Sequence, residues 1–244
     1  MDLLNEIRLN RRITQKIWFL LDQLIPPVIR DLDLLAKPVF YLLFGKRANI
    51  FLNYQKNALT LTDREYEQIY KKMQFGAVNR ETDLLDGIID EIQKKIVGKS
   101  VLEVGFGKAH LTKLISKKYK VTAVDIIVDK KFILELPNVN FKKANIENLP
   151  FKNKSFDTVI CTHTLEHVLN ISDAIKELRR VARHRLIIVV PKQRPYKFTF
   201  DLHLHFFPYP ESFLNLVGRV PGKHFCKEIC GDFFYYEDIT FKYE

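Results

Sequence analysis

Three groups of residues in this sequence have types and spacings suited to chemistry. The first is Glu103-Val104-Gly105-Phe106-Gly107, where an apolar run gives way to two glycines and then a helical stretch. A glycine turn directly after a buried strand lets a ligand approach the backbone closely, because no Cβ stands in the way. Asp125 follows Gly105 by twenty residues, at the end of the next apolar run. A ribose presents two vicinal hydroxyls, and a carboxylate at the adjacent strand end can accept a hydrogen bond from each. Together the turn and the acid describe a seat for a nucleoside-bearing cofactor. Taken singly, the glycines also fit a plain tight turn and Asp125 a helix cap.

The second group is His203 and His205, in the stretch Asp201 to Phe207. Residues two apart face the same way in an extended segment, so the pair suits a general base, substrate orientation or metal ligation. No third ligand stands at a useful spacing, so no metal is expected there. The third group, Cys226 and Cys230, has no partner cysteine pair and reads as core rather than as a zinc site.

Elements must hold these residues in place. Ser100 to Val104 reads as a strand, followed by a helix from His110 to Lys118 and a second strand, Val121 to Val124, ending in Asp125. Further strands are expected at Val139 to Phe141, Thr158 to Cys161 and Arg185 to Val190, with a helix from Ser172 to Ala182. Phe233 to Tyr236 is suited to closing strands. Strands alternating with helices at these lengths imply an α/β domain whose parallel sheet is covered on both faces. Upstream, Thr62-Asp63-Arg64-Glu65 has the spacing of a helix N-terminus, and a second helix start is placed at Thr82. Leu84, Leu85, Ile88, Ile89, Ile92 and Ile96 form its apolar stripe.

With Ala144 to Phe151 and Ser155 to Val159 added, the sequence resembles the class I S-adenosylmethionine (SAM)-dependent methyltransferases. It looks most like the methyltransferase type 11 group, which includes the ubiquinone and menaquinone methylases. The matching stretches are Val101–Thr112, Val121–Asp125, Asn145–Val159 and Thr162–Val190, within about residues 80 to 195. The resemblance implies a Rossmann-like, mostly parallel seven-stranded sheet and SAM as cofactor. It places Glu103, Gly105 and Gly107 along the methionine end and ribose, and Asp125 on the ribose hydroxyls. Asn145 falls where the family has an acid against the adenine amino group, and its side-chain carbonyl can accept the same hydrogen bond. The Ile146 backbone would meet the adenine edge, and His163 would lie near the methionine part. The family's third loop glycine is Ala109 here, and the turn before the fifth strand is compressed to Ala182-Arg183-His184-Arg185.

Methyl transfer mainly requires alignment of acceptor, carbon and sulfur with water excluded, and a hydroxyl acceptor also benefits from a base. His203, His205 and His163 are the candidates for catalytic or orienting roles. Ligands bind beyond the carboxyl ends of parallel strands, so the stretch after strand five is the expected acceptor wall.

The net charge of +10 points to an acidic partner, whether nucleic acid, lipid headgroups or a phosphorylated substrate. Residues 1–60 read as a helical, partly apolar extension ahead of a methyltransferase domain at 61–244. The extension holds nine Lys/Arg against five Asp/Glu, a net of +4. Ile13, Ile17, Leu20, Leu21 and Leu24 recur at helical spacing, which suits either a cap on the main domain or a face on an anionic membrane surface. Asp22, Arg30, Lys37 and Lys46 interrupt the apolar runs, against a spanning helix. The acidic opening, Met1-Asp2, and the absence of a cleavage site argue against a signal peptide, and three cysteines suit a reducing compartment. The expected protein is cytoplasmic, with a peripheral membrane contact, and acts on a small-molecule, glycan or lipid-linked acceptor. A nucleic-acid methyltransferase is disfavoured because Cys161-Thr162-His163-Thr164 is neither an Asn-Pro-Pro-Tyr nor a Pro-Cys motif. An NAD-dependent oxidoreductase would share the glycine turn and Asp125 but leaves Asn145 to Phe151 unexplained. A non-catalytic SAM-binding protein is the remaining alternative.

Overall fold

The computed structural model describes residues 16, 19–21, 24–73, 81–199, 201–220 and 222–239. The chain divides into two compact units. One comprises residues 1–83 with 193–208, and the other residues 84–192 with 209–244. The segment after strand five, residues 193–208, falls in the same unit as the N-terminal helices.

The second unit is built on seven strands: β1 (Ser100–Val104), β2 (Lys120–Asp125), β3 (Asn140–Lys143), β4 (Phe156–Thr162), β5 (Ala182–Pro191), β6 (His224–Ile229) and β7 (Asp232–Asp238). Their order is β3-β2-β1-β4-β5-β7-β6, with β1 to β5 mutually parallel and β7 antiparallel to both neighbours. β1 and β4 are central, and Val101, Leu102, Val159 and Ile160 are buried because strands covered on both sides carry no polar face. From β1 the chain steps to β2 on one side, and from β4 it steps to β5 on the other. Right-handed crossovers in opposite directions put the intervening helices on opposite faces.

Helix α4 (Asp86–Lys95) buries Ile88, Ile89 and Ile92, and Lys94 and Lys95 close its last turn. It starts at Asp86 rather than Thr82 because Leu85 is extended (ψ 155°) and supplies the N-cap position. Residues 74–80 of the expected preceding helix lie outside the described residues. Helix α5 (His110–Ile115) follows the glycine turn, and α6 (Lys130–Glu135) leads into β3. Helix α7 (Ile171–Val181) buries Ile171, Ala174, Ile175, Leu178 and Val181, and its N-cap Asn170 accepts from Asp173 N–H. Ala182 to Arg185, expected as a turn, is the start of β5. A register irregularity against Phe156 and Thr158 of β4 lets the strand follow α7 directly. Helix α8 (Pro210–Val217) precedes the closing hairpin.

The opposite end of β1 and β4 is stapled by Asp157, whose Oδ2 accepts from Lys99 and Ser100 N–H at 2.9 and 3.0 Å. These bonds, with Arg183 alongside, hold the Asp157 carboxyl well below the usual range. Beside it, Thr158 Oγ1 bonds both the N–H and the C=O of Val97.

The first unit contains α1 (Asp33–Phe44), α2 (Ala48–Asn57) and α3 (Asp63–Met73). Thr62 and Glu65 form the expected reciprocal cap: Thr62 N–H donates to Glu65 Oε2 at 2.9 Å, and Glu65 N–H donates to Thr62 Oγ1 at 3.4 Å. Phe40, Phe44 and Phe51 pack together, with Phe44 and Phe51 ring centroids 4.2 Å apart and Phe198 edge-on to Phe40. Arg30 stacks on Tyr196, 3.6 Å from its ring centroid, and donates to Pro195 C=O. Of the stripe from Ile13 to Leu24, Ile13 and Ile17 lie outside the described residues. Among the described residues, no helix is long and apolar enough to cross a membrane.

Candidate cofactor site

The glycine turn leaves the carboxyl end of β1, beside the point where the strand order reverses between β1 and β4. In open α/β sheets this crevice is where ligands bind. Gly105 takes φ +77° and Gly107 φ +53°. Gly105 N–H donates to Val124 C=O at 2.8 Å, which ties the turn to β2. A Cβ at Gly105 would overlap the Thr164 side chain, whereas one at Gly107 would meet nothing within 4 Å. The turn is therefore walled behind Gly105 and open above Gly107. Ala109 also adopts a left-handed conformation (φ +58°), the geometry for which the family's glycine is suited.

Asp125 ends β2 with its carboxylate pinned by two backbone donors, Gly107 N–H to Oδ2 at 3.0 Å and Ile127 N–H to Oδ1 at 3.1 Å. Burial raises its pKa, while those N–H groups oppose the rise. Each oxygen keeps a lone pair beyond its backbone bond, so the group can still accept two hydroxyl donors. Glu103, on β1, is buried beneath the turn and accepts from Thr112 Oγ1 of α5 at 2.5 Å. Burial pushes its carboxyl up to about 8, with the Asp125 charge adding to the rise and the Thr112 bond resisting it.

Asn145 and Ile146 follow β3. Asn145 is exposed, and its Oδ1 accepts from Glu147 N–H at 3.0 Å, an Asx turn that leaves the second lone pair of the carbonyl for another donor. The Ile146 side chain is buried. The loop is held from α7: Leu149 N–H donates to Glu177 Oε2 at 2.8 Å, and Arg180 reaches the C=O groups of Leu149 and Phe151.

His163 sits just beyond β4 in a left-handed conformation (φ +46°), with its N–H bonded to Val189 C=O. Its Nδ1 lies 3.4 Å from Glu166 Oε1 and its Nε2 3.3 Å from Asp232 Oδ2. Both carboxylates are buried, and neither oxygen of Glu166 has a hydrogen-bond partner among the described residues. A neutral imidazole has a single N–H to offer; an imidazolium serves both acids. With its Nε2 on Asp232 and its Nδ1 facing the Glu166 carboxyl group, His163 is better suited to orientation than to accepting a proton from substrate.

His203 and His205 belong to the first unit, in an irregular segment where Leu202 has φ +54°. Residues 203–205 are in no strand, so their two-residue spacing does not by itself align the two rings. His203 is buried, with Nδ1 2.5 Å from Gln193 Oε1, and its C=O accepts from Gln55 Nε2. With an amide oxygen as partner Nδ1 is the donor, and in the neutral ring Nε2 is then the nitrogen that can accept a proton. Thr112, Thr164, Asp232 and Gln193 were not singled out from sequence. Thr164 stood within the Cys161-Thr162-His163-Thr164 stretch, but Asp232 and Gln193 reach their partners only through tertiary structure. Cys161 is buried, and burial pushes its thiol far up, away from reactivity.

Residues 102–190 match a family model described as a methyltransferase domain. The ubiquinone biosynthesis O-methyltransferase of Rickettsia bellii is 29% identical over 131 residues, covering 49% of this chain and 54% of that protein. The ubiquinone/menaquinone biosynthesis C-methyltransferase of Hahella chejuensis is 35% identical over 98 residues, 35% of this chain and 39% of that protein. The chain spans about half the length of the curated relatives it matches. A crystal structure of a SAM-dependent methyltransferase from Aquifex aeolicus matches with a TM-score of 0.50 and 18% identity, over 74% of this chain and 100% of that one. At that identity the likeness is one of fold.

Proposed function

We propose that the chain is a SAM-dependent methyltransferase, a reading supported by the match of residues 102–190 to a methyltransferase-domain family model. Its acceptor is a small molecule, glycan or lipid-linked intermediate met at a membrane surface, and the protein works on the cytoplasmic side. The observation that carries the reading is the Asp125 carboxylate, fixed by Gly107 and Ile127 N–H beside an open glycine turn.

These residues fit the cofactor. The open side of Gly107 leaves room for a ribose against the backbone, and Asp125 presents acceptors for its two hydroxyls. Asn145 offers a carbonyl to an adenine amino group, and the Ile146 backbone lies next to it in the loop. Glu103 is a buried acid near the methionine end, where a cationic ammonium favours its ionised form. When bound, SAM supplies an activated methyl group on a sulfonium.

The protein's own part is placement. Asp125 and the turn fix the donor, and His163, braced by Glu166 and Asp232, holds the backbone near the methionine side. For a hydroxyl acceptor, His203 is the better base of the histidine pair, because Gln193 sets its tautomer. His205 is assigned to substrate contact. The similarity to a ubiquinone biosynthesis O-methyltransferase favours a lipid-like acceptor, and residues 1–60, with a net charge of +4, supply an extension suited to anionic headgroups.

Calorimetric titration with SAM and with NAD tests the reading. The chain should bind SAM, and Asp125→Ala should weaken binding about 100-fold or more by leaving the ribose hydroxyls without a charged acceptor. NAD binding without SAM binding, or unchanged affinity in Asp125→Ala, would refute it.

A further inference from the structure

Helix α1 is apolar on two sides. Phe40 and Phe44 are buried in the aromatic cluster of the first unit. On the other side Leu34, Pro38 and Leu42 follow one another at four-residue spacing, with Leu35 and Val39 beside them. Leu34 is 83% exposed, Leu42 66%, Leu35 49% and Val39 46%. Just upstream, Val28 is 75% exposed and Leu24 66%. A helix with apolar residues all round is normally enclosed, and single exposed leucines are ordinary, but a continuous strip of this kind marks an interaction face.

The charges beside the strip indicate what covers it. Asp33 is the one acid of the helix, and it is already held by Lys37 at 2.8 Å and Lys197 at 2.5 Å. Lys46 is exposed just past the C-terminal end. Lys37 and Lys197 share that single carboxylate, so together with Lys46 the flanks of the strip keep a net positive charge and leave no uncommitted carboxylate on the helix. A second copy docking on it about a two-fold axis would bring those like charges together. An anionic surface meets them with opposite charge. Twelve residues of helix reach about 18 Å, short of the ~30 Å hydrocarbon core, so the helix can lie in the interface but not cross it.

We propose that the Leu34-Leu35-Val39-Leu42 face of α1 is an in-plane docking surface for an anionic lipid bilayer. This deepens, and rests on, the reading that the acceptor is met at a membrane. Leucine side chains enter the headgroup–acyl boundary, while Lys37, Lys46 and Lys197 lie at the level of the lipid phosphates.

The test is flotation of the full chain with two kinds of vesicle, phosphatidylcholine alone and phosphatidylcholine with about one third phosphatidylglycerol, at low and high salt. The chain should float with the anionic vesicles, much less with the neutral ones, and less at high salt. The double variant Leu34→Ser/Leu42→Ser should lower partitioning about tenfold or more. SAM titration and thermal unfolding of the variant check that it is folded. No flotation of the wild type, or equal flotation of a folded variant, overturns the proposal. So does a wild-type dimer, seen by sedimentation equilibrium, that the variant abolishes while vesicles are ignored. Salt-insensitive flotation with both vesicle types removes the anionic part of it. A chain that floats but fails to bind SAM leaves this surface standing and sinks the methyltransferase reading instead.

Discussion

Glu103→Gln should change how stability depends on pH more than it changes stability itself. In the folded chain the Glu103 carboxyl is buried under the glycine turn and its pKa is pushed from 4.5 up to about 8. A raised acid favours the fold's protonated form, so the unfolded chain gives up its proton first as pH rises. The destabilisation is absent below about pH 4.5, grows between there and about 8, and is complete above that. Within that window the slope from this group is about 1.4 kcal/mol per pH unit, and the whole effect is on the order of 5 kcal/mol. Glutamine keeps a carbonyl for Thr112 Oγ1 but adds an amide donor to a buried site, a pH-independent cost of about 1–3 kcal/mol. Urea unfolding of both proteins without SAM should show the variant less stable below about pH 5, overtaking the wild type between about pH 5 and 7 and clearly more stable by about pH 8. Parallel curves across the range would refute the assignment, because they would mean Glu103 titrates alike in the folded and unfolded chains.

Two further outcomes follow from the turn and the staple. Gly105→Ala places a Cβ against Thr164 at a φ of +77°, and should lower stability by about 2–4 kcal/mol; an unchanged unfolding midpoint would contradict that close packing. Asp157 titrates well below its usual range in the fold, so its contribution is present above about pH 4 and is lost as pH falls. Asp157→Asn should therefore cost about 1–3 kcal/mol at neutral pH, with the deficit shrinking in acid; an equal deficit at both would show that the carboxylate charge is not what matters.

Much of the second unit was legible from sequence because its strands are short apolar runs bounded by glycine, aspartate and proline. β1 matches the expected Ser100 to Val104, and β2 ends at Asp125 as the spacing implied. Differences arise where tertiary contacts override local pattern. Leu84 is buried although it precedes the helix, so the apolar stripe extended the expected α4 start back to Thr82. Ala182 to Arg185 reads as a turn, yet Arg183 and Arg185 pair with Asp157 and Asp238, and the segment is strand. The donor side of the candidate site could be read because its residues lie at strand ends within a contiguous stretch. The acids around His163 could not: Asp232 comes from the closing hairpin, 69 residues away, and no local signal connects them.

The strand order explains why the candidate cofactor residues stand out in the sequence while the proposed acceptor residues do not. Reversal between β1 and β4 opens a crevice at their carboxyl ends whatever the loops contain, and the parallel register brings Val104 level with Cys161. That register sets the Gly105 turn against Thr164 and places His163 one residue beyond β4. A cofactor held by backbone donors and strand-end carboxylates depends mainly on this scaffold, so its residue types are constrained by geometry. An acceptor depends on side chains carried by segments with no such register, such as residues 193–208, where Leu202 is left-handed and His203 is held by Gln193 and Gln55. His203 and His205 are two apart in sequence, but that spacing aligns side chains only in a strand. In an irregular segment that spacing fixes no shared direction, and Gln193 singles out the His203 ring as the candidate base.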